Sequence, residues 1–251
     1  MKNMEIQKTK NRLFSLKSRL MTLILLFIFS LSLSAEELPD TSVPVVFVHG
    51  ILSQGAIFLK MELHFEKDGF TCYKYDYPSV TKTIEEHGQD FLIWVDKNIG
   101  NKEFYLISHS MGNLICREAF QSRPDLNIKR WAMIAPPNKG AQISDILNDI
   151  KLYEWITRTP GQQLRYSMAE HFRIMPPPTV DFAIIAGGLG DNKGYNPLLD
   201  GDDDGEVRVS ETFLDGYDDH IVLSHIHSNL LFYKDTYRQI IHYFATGKFK
   251  R

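Results

Sequence analysis

Cysteine is nearly absent from this chain, which carries two in 251 residues. That is too few for a disulfide framework, so the fold must rest on an ordinary hydrophobic core, for which 43% hydrophobic residues are sufficient. Cys72 and Cys116 fall in strand-like and helix-like runs and read as two buried thiols, with a single bridge in an oxidising compartment left open. Excess positive charge is missing too. A formal net charge of -3 removes the basic footprint of a nucleic-acid-binding protein. The chain has no internal repeats and no disordered linker, which points to one mature domain.

A long apolar run is also lacking. The uncharged stretch Leu20 to Leu33 is shorter than the ~20 residues that comfortably span a bilayer. It follows Lys2, Lys8, Lys10, Arg12, Lys17 and Arg19 and precedes the small residues Ser34 and Ala35, the order of a secretory signal peptide. Cleavage near Ala35 is the preferred reading for residues 1–35, and it implies export to a periplasm or the exterior. The basic leader is long, which leaves two alternatives: a translation start at Met4, or retention as an uncleaved membrane anchor. No cysteine lies near Ala35, so a lipid-modified N-terminus is not supported.

What is present over residues 36–251 is an alternation. Val43 to Val48 is a short, almost wholly apolar run, as strands buried on both faces require. Ser53 to Asp68 carries Ile57, Phe58, Met61 and Phe65 at helical spacing and stops at Gly69. Phe70 to Tyr77 reads as a strand, Thr83 to Asn98 as a helix, and Glu103 to Ile107 as a strand. A helix from Asn113 ends before Pro124, strands follow at 129–135 and 180–186, and a final helix spans Asn229 to Phe244. Strands alternating with helices predict a mainly parallel sheet covered on both faces. An insertion at 138–178, with an amphipathic helix on Ile143, Ile146, Leu147, Ile150 and Tyr153, breaks the alternation before Pro176-Pro177-Pro178.

Ser108-His109-Ser110-Met111-Gly112 sits between a strand and a helix. Such a strand–turn–helix lifts its central serine from the sheet edge, where the hydroxyl can act as a nucleophile. The usual form is G-x-S-x-G; here Ser108 replaces the first glycine, and a slightly displaced helix is expected. A serine needs a base, and the base needs a third group to fix its tautomer. Acids occur at Asp200 to Ser210 and histidines at Asp219 to Asn229, both on expected loops.

V-V-F-V-H-G-I-L, the serine turn, A-P-P-N-K-G-A, D-G-E-V-R-V-S-E-T and D-H-I-V-L-S-H-I-H, in that order, resemble the α/β-hydrolase fold. More narrowly they are similar to bacterial esterases and lipases related to triacylglycerol lipases. The resemblance implies an α/β fold, a nucleophile at Ser110, an acid at Asp204 and a histidine at His227; the insertion at 138–178 reads as a lid over the serine, with a helix packed permanently on the core as the alternative. It assigns the oxyanion hole to the backbone N–H groups of Ile51 and Met111. Asn113 replaces a second glycine common in the family. The implied activity is hydrolysis of carboxylic esters, of lipid or other acyl type, with no cofactor, no nucleic-acid partner and possible membrane-surface contact. A thioesterase or acyltransferase uses the same constellation, and a non-catalytic exported binding protein on the same scaffold stays open.

Each assignment has a rival. Ser110 could be a helix N-cap. His220 and His225 compete with His227, His225 pointing the same way if the segment is a strand. His49 reads as structural in the oxyanion loop, and His64, His87, His171 and His242 as helix or surface positions. Asp200, Asp202, Asp204, Gly205 and Glu211 match D-x-D-x-D-G-x5-E, a calcium-loop spacing that would take Asp204 from His227 or use its neighbours. The flanking segments are loop-like, against the two helices of that motif, so no metal is assigned.

Overall fold

Among the described residues six strands form one wholly parallel sheet in the order β2-β1-β3-β4-β5-β6. They are β1 (Val45–Val48), β2 (Cys72–Tyr75), β3 (Phe104–His109), β4 (Ile128–Ile134), β5 (Phe182–Gly187) and β6 (Asp219–Leu223). The computed structural model describes residues 38–251, which form one compact unit, and positions 17, 19 and 21. The expected signal peptide at 1–35 thus lies outside the described residues. Among the described residues no helix is long and apolar enough to cross a membrane.

The period of two along each strand builds a core on both faces of the sheet. Val46, Val48, Leu106, Trp131, Met133 and Ile184 point to one side; Val45, Phe47, Ile107, Ala132, Ile134 and Ile185 point to the other. The first side is covered by α2 (Ile84–Asn98) and α3 (Met111–Ser122), through Phe91, Val95, Leu114 and Ile115. The second is covered by α1 (Leu59–Lys67) and, late in the chain, α8 (Lys234–Thr246), through Phe65, Tyr237, Ile240 and Phe244. Each fully buried side chain of this size contributes ~1.5–3 kcal/mol. Helix α2 starts on a capping box in which Thr83 Oγ1 accepts from Glu86 N–H while Glu86 accepts from Thr83 N–H.

Cys116 lies in the first core and Cys72 packs against the second, so the sheet separates them and both thiols are free. Cys72 is only half-buried, unlike the expectation of two buried thiols.

Other differences from the sequence reading sit late in the chain. β6 occupies what reads as loop, and His225 falls in the turn after it rather than on a strand. The final helix is two pieces, a 3-10 turn at His227–Leu231 followed by α8. The insertion holds three helices, α4 (Gln142–Asn148), α5 (Lys151–Gln163) and α6 (Glu170–Ile174), where one was expected. A short helix α7 (Val209–Thr212) follows the acidic loop.

Candidate active site

β1 pairs with β2 on one side and β3 on the other, so the chain leaves β1 toward one edge and returns to build the other. The crevice beyond the carboxyl ends of two such strands is where open parallel sheets bind ligands. Both the His49-Gly50-Ile51 loop and the Ser110 turn open there. Three of the four non-glycine residues with positive φ among the described residues, Leu52 (53°), Ser110 (54°) and Ala135 (45°), follow β1, β3 and β4 at this same end. Unfavourable backbone of this kind persists only where the surroundings fix it.

Ser110 takes φ 54° and ψ -129° between strand and helix. It occupies the position before α3, yet its side chain makes no capping hydrogen bond, which disposes of the N-cap alternative. Gly112 is needed for close approach: a Cβ there would lie 2.5 Å from the His49 carbonyl oxygen and 2.6 Å from that of Val48. A Cβ on Gly50 would meet Ser110 Cβ at 2.8 Å, so the two loops touch at the serine. Met111 is the first residue of α3, where helix geometry leaves the N–H without an intrahelical acceptor. Ile51 lines the same cavity as Ser110. His49 is held in its loop: Nδ1 lies 2.9 Å from Gly50 O, Nε2 accepts from Tyr77 N–H, and the ring stacks on Tyr77.

Asp204 and His227 meet in the buried interior. His227 Nδ1 lies 2.8 Å from Asp204 Oδ2, and the other carboxylate oxygen accepts from the N–H groups of Glu206 at 3.0 Å and Val207 at 2.7 Å. The His227 N–H donates to the Asp204 carbonyl at 2.8 Å, so backbone and side chain both fix the pair. His227 Nε2 is buried and has no hydrogen-bond partner. Glu206 Oε2 stands 3.7 Å from it, beyond hydrogen-bond range but close enough to act by charge. Burial pulls the His227 pKa down, but the charges of Asp204 and Glu206 and the Asp204 hydrogen bond outweigh it and raise the value to about 9.

The rival histidines turn elsewhere. His225 pairs with Asp235 at 2.8 Å and stacks on Tyr233, while His220 Nε2 meets Thr212 Oγ1 at 3.0 Å. His109 is a residue that the motif reading passed over. Its ring packs 4.7 Å from that of His227 and its Nε2 lies 3.3 Å from the His227 carbonyl. Burial, then the neighbouring His227 charge, hold His109 well below the usual imidazole range, so it stays neutral. Its place beside the serine in sequence was the available signal.

The calcium-spaced residues of the acidic loop do not converge. Asp202 accepts from the N–H groups of Leu189 and Gly190, Asp204 serves His227, and Glu211 pairs with Arg208 and accepts from Gln142 N–H. Asp200 Oδ2 lies 3.4 Å from Gln142 Nε2. The three ligating groups that do come within 4.8 Å of one another among the described residues are Glu85, Glu118 and His171, at the foot of the insertion. There His171 Nε2 lies 2.5 Å from Glu118 Oε1 and Gln163 donates to Glu85, pinning the insertion to α2 and α3.

Ser110, His109, His227 and Ile51 open onto a cavity of about 520 Å³ whose far wall is the insertion, including Ile143, Leu147 and Leu164. The stems of that insertion are held by one buried cation. Arg117 on α3 donates to Asn138 Oδ1 at 3.2 Å, to Phe172 O at 2.9 Å and to Met175 O at 3.0 Å. Between the stems α5 is kinked at Arg158 (φ 52°, ψ -147°), and Ile150, Leu152 and Trp155 are exposed.

Known proteins share this fold. A lipase of Bacillus licheniformis superposes in its propeptide form with a TM-score of 0.62 at 19% identity, covering 77% of this chain and 48% of that one. Its mature form gives 0.60 at 18% identity, covering 79% and 88%. Similarity at these identities speaks to the fold. The lysosomal thioesterase PPT2-B of Xenopus laevis is 30% identical over 114 residues, 41% of this chain, and the match spans 40% of that protein's length. The family model for the alpha/beta hydrolase fold matches residues 43–172, more than half of the chain. With that match and a parallel sheet carrying a serine turn after its third strand, the chain belongs to the α/β-hydrolase family.

Proposed function

We propose that this protein is a serine hydrolase that cleaves acyl esters through an acyl-enzyme on Ser110. The observation that carries the reading is the His227 imidazole, tied to Asp204 through Nδ1, with an unpartnered Nε2 in the wall of the cavity that Ser110 also lines. A neutral imidazole there takes the Ser110 proton as Oγ bonds the carbonyl carbon. The charge that develops on the carbonyl oxygen meets the N–H groups of Ile51 and Met111. The imidazolium then protonates the leaving alkoxide as the ester bond breaks, and water repeats the sequence to release the acid. Asp204 holds the tautomer and balances the cation.

Ile51, Ile57, Leu147, Leu164 and Val207 make most of the cavity wall apolar, which suits an acyl chain better than a charged group. In this reading the insertion serves as a lid. Its exposed Leu152 and Trp155 are the groups that would touch a lipid surface. The basic and then apolar sequence of residues 1–35, read as a leader, supports export. A second reading, thioester hydrolysis, is favoured by the similarity to the Xenopus laevis thioesterase.

The test is purified protein, with and without Ser110→Ala, against p-nitrophenyl esters of graded acyl length and against the matching acyl thioesters. Serine-dependent turnover and labelling by a fluorophosphonate are expected. Equal behaviour of Ser110→Ala and the parent would leave a binding protein on a hydrolase scaffold.

A further inference from the structure

The two departures from the family's serine turn, Ser108 and Asn113, are in direct contact: Ser108 Oγ lies 2.5 Å from Asn113 Oδ1. We propose that Trp131, Ser108 and Asn113 form one hydrogen-bonded brace that holds Ser110 in its strained conformation, and that Ser108 and Asn113 are positioning residues for the reaction. The inference rests on the reading of Ser110 as nucleophile.

The polarity of the brace follows from its end. An indole N–H is only a donor. Trp131 Nε1 lies 2.6 Å from Ser108 Oγ, so that oxygen must accept and its own hydrogen must go elsewhere. The Asn113 carbonyl oxygen receives it. This fixes which way the Asn113 amide faces, a choice that heavy-atom positions alone leave ambiguous. Its Nδ2 then donates to Ser110 O at 2.9 Å and to Ile134 O at 3.1 Å. Ile134 O also accepts from Ser110 N–H at 3.0 Å, and Ser110 O from Asn113 N–H at 3.0 Å. Both peptide groups of the serine turn are therefore tied to the end of β4, next to another positive-φ residue, Ala135.

All three brace side chains are fully buried, so a partner lost there is not replaced by bulk water. Ser108 alone would leave its hydroxyl hydrogen without this acceptor. Asn113 alone would lose the donor that orients it. The two positions depend on each other, and the hydroxymethyl at 108 is taken up by hydrogen bonds rather than tolerated as excess volume.

The test compares Ser108→Ala, the isosteric Asn113→Asp and the double variant, with Ser110→Ala as reference. Asn113→Asp keeps the shape and removes both donors to the backbone. Each single variant is expected to lower kcat and the rate of fluorophosphonate labelling by about tenfold or more, with KM changed less than about twofold, because displacement of the nucleophile acts on the chemical step. The double variant is expected to be no worse than about twofold below the poorer single, the signature of a shared chain. The Trp131 indole N–H resonance, assigned by its loss in Trp131→Phe, should move in Ser108→Ala.

Folded single variants with kcat within about twofold of the parent would overturn the brace, as would losses that multiply in the double. If Asn113→Asp fails to fold, Ser108→Ala and the indole resonance decide alone: an unmoved resonance overturns the proposal. Persistent turnover in Ser110→Ala would sink the nucleophile reading instead, and that outcome is distinct from a silent brace.

Discussion

The carboxyl edge of the sheet and the insertion between β4 and β5 line one cavity from opposite sides, and they are built differently. At the sheet edge Ser110, Asp204 and His227 are buried, Asp204 and the peptide groups of Ser110 are held by hydrogen bonds while His227 Nε2 is left without a hydrogen-bond partner, and three non-glycine residues accept unfavourable φ angles. In the insertion the apolar residues Ile150, Leu152 and Trp155 face outward, and the kink in α5 falls on an exposed arginine. Strain beside the serine is held by the sheet and its brace. Strain at Arg158 falls on an exposed side chain between the buried Thr157 and Pro160. Precision is concentrated where a bond would be made, and adaptability where a substrate would be admitted.

The largest effect expected from challenging this contrast lies on the sheet side. Asp204→Asn should lower kcat by about 10³–10⁴-fold, because the amide neither fixes the tautomer nor balances the imidazolium; steady-state kinetics on a short ester measures it. A fall of less than about tenfold would mean that the edge is not tuned for chemistry.

Arg117 joins the two regions. Arg117→Met strands the carbonyls of Phe172 and Met175, and it should cost about 3 kcal/mol, a fall in Tm of roughly 6–12 °C by thermal melting. On the insertion side, Leu152→Ser with Trp155→Ser should leave Tm within a few degrees, since exposed positions contribute little. The same pair should raise KM for long-chain esters about fivefold if those residues meet the acyl chain or its lipid surface. An unchanged KM across chain lengths would remove the contrast from that side.

The smallest effect is a shift in pH profile. In the proposed mechanism His227 must be neutral to accept a proton, and its raised pKa means that activity should climb as pH rises toward about 9. The groups facing its ring are Asp204, Glu206 and the neutral His109. Glu206→Gln should move the rise to lower pH by about half a unit, a modest step because Glu206 is solvent-screened. The stability side has a definite sign. A folded pKa above the ordinary imidazole value gives stabilisation that is fully present below about 6.5 and is lost as pH rises through about 9. Melting curves taken between those values would show it.

Much of the sheet edge is legible in the sequence. Parallel strands buried on both faces are near-continuous apolar runs, so β1, β3, β4 and β5 stand out, and the order of serine, acid and histidine follows from motifs on their loops. β6 is hidden because it is an edge strand, paired only to β5 and partly exposed, so that Asp219-His220 looks like loop. The brace is hidden for a different reason: Trp131 lies on another strand, and only the β3–β4 register puts Leu106 opposite it and Ser108 within reach. In the insertion the helical stripe is visible, but the breaks around α5 divide it in ways that periodicity alone does not reveal.

Arg117 draws Asn138 at one end of the insertion and Phe172 with Met175 at the other onto a single guanidinium. The hydrolase frame thus sees the intervening segment as a loop closed at its neck. Its length and composition can drift without re-registering β4 against β5, provided those three anchor points and the Glu118–His171 and Glu85–Gln163 contacts are kept. Exchange of residues 143–162, which leaves the Gln163 and His171 contacts in place, for the corresponding segment of a relative would then be the natural way to alter which substrates are admitted while leaving the serine turn untouched.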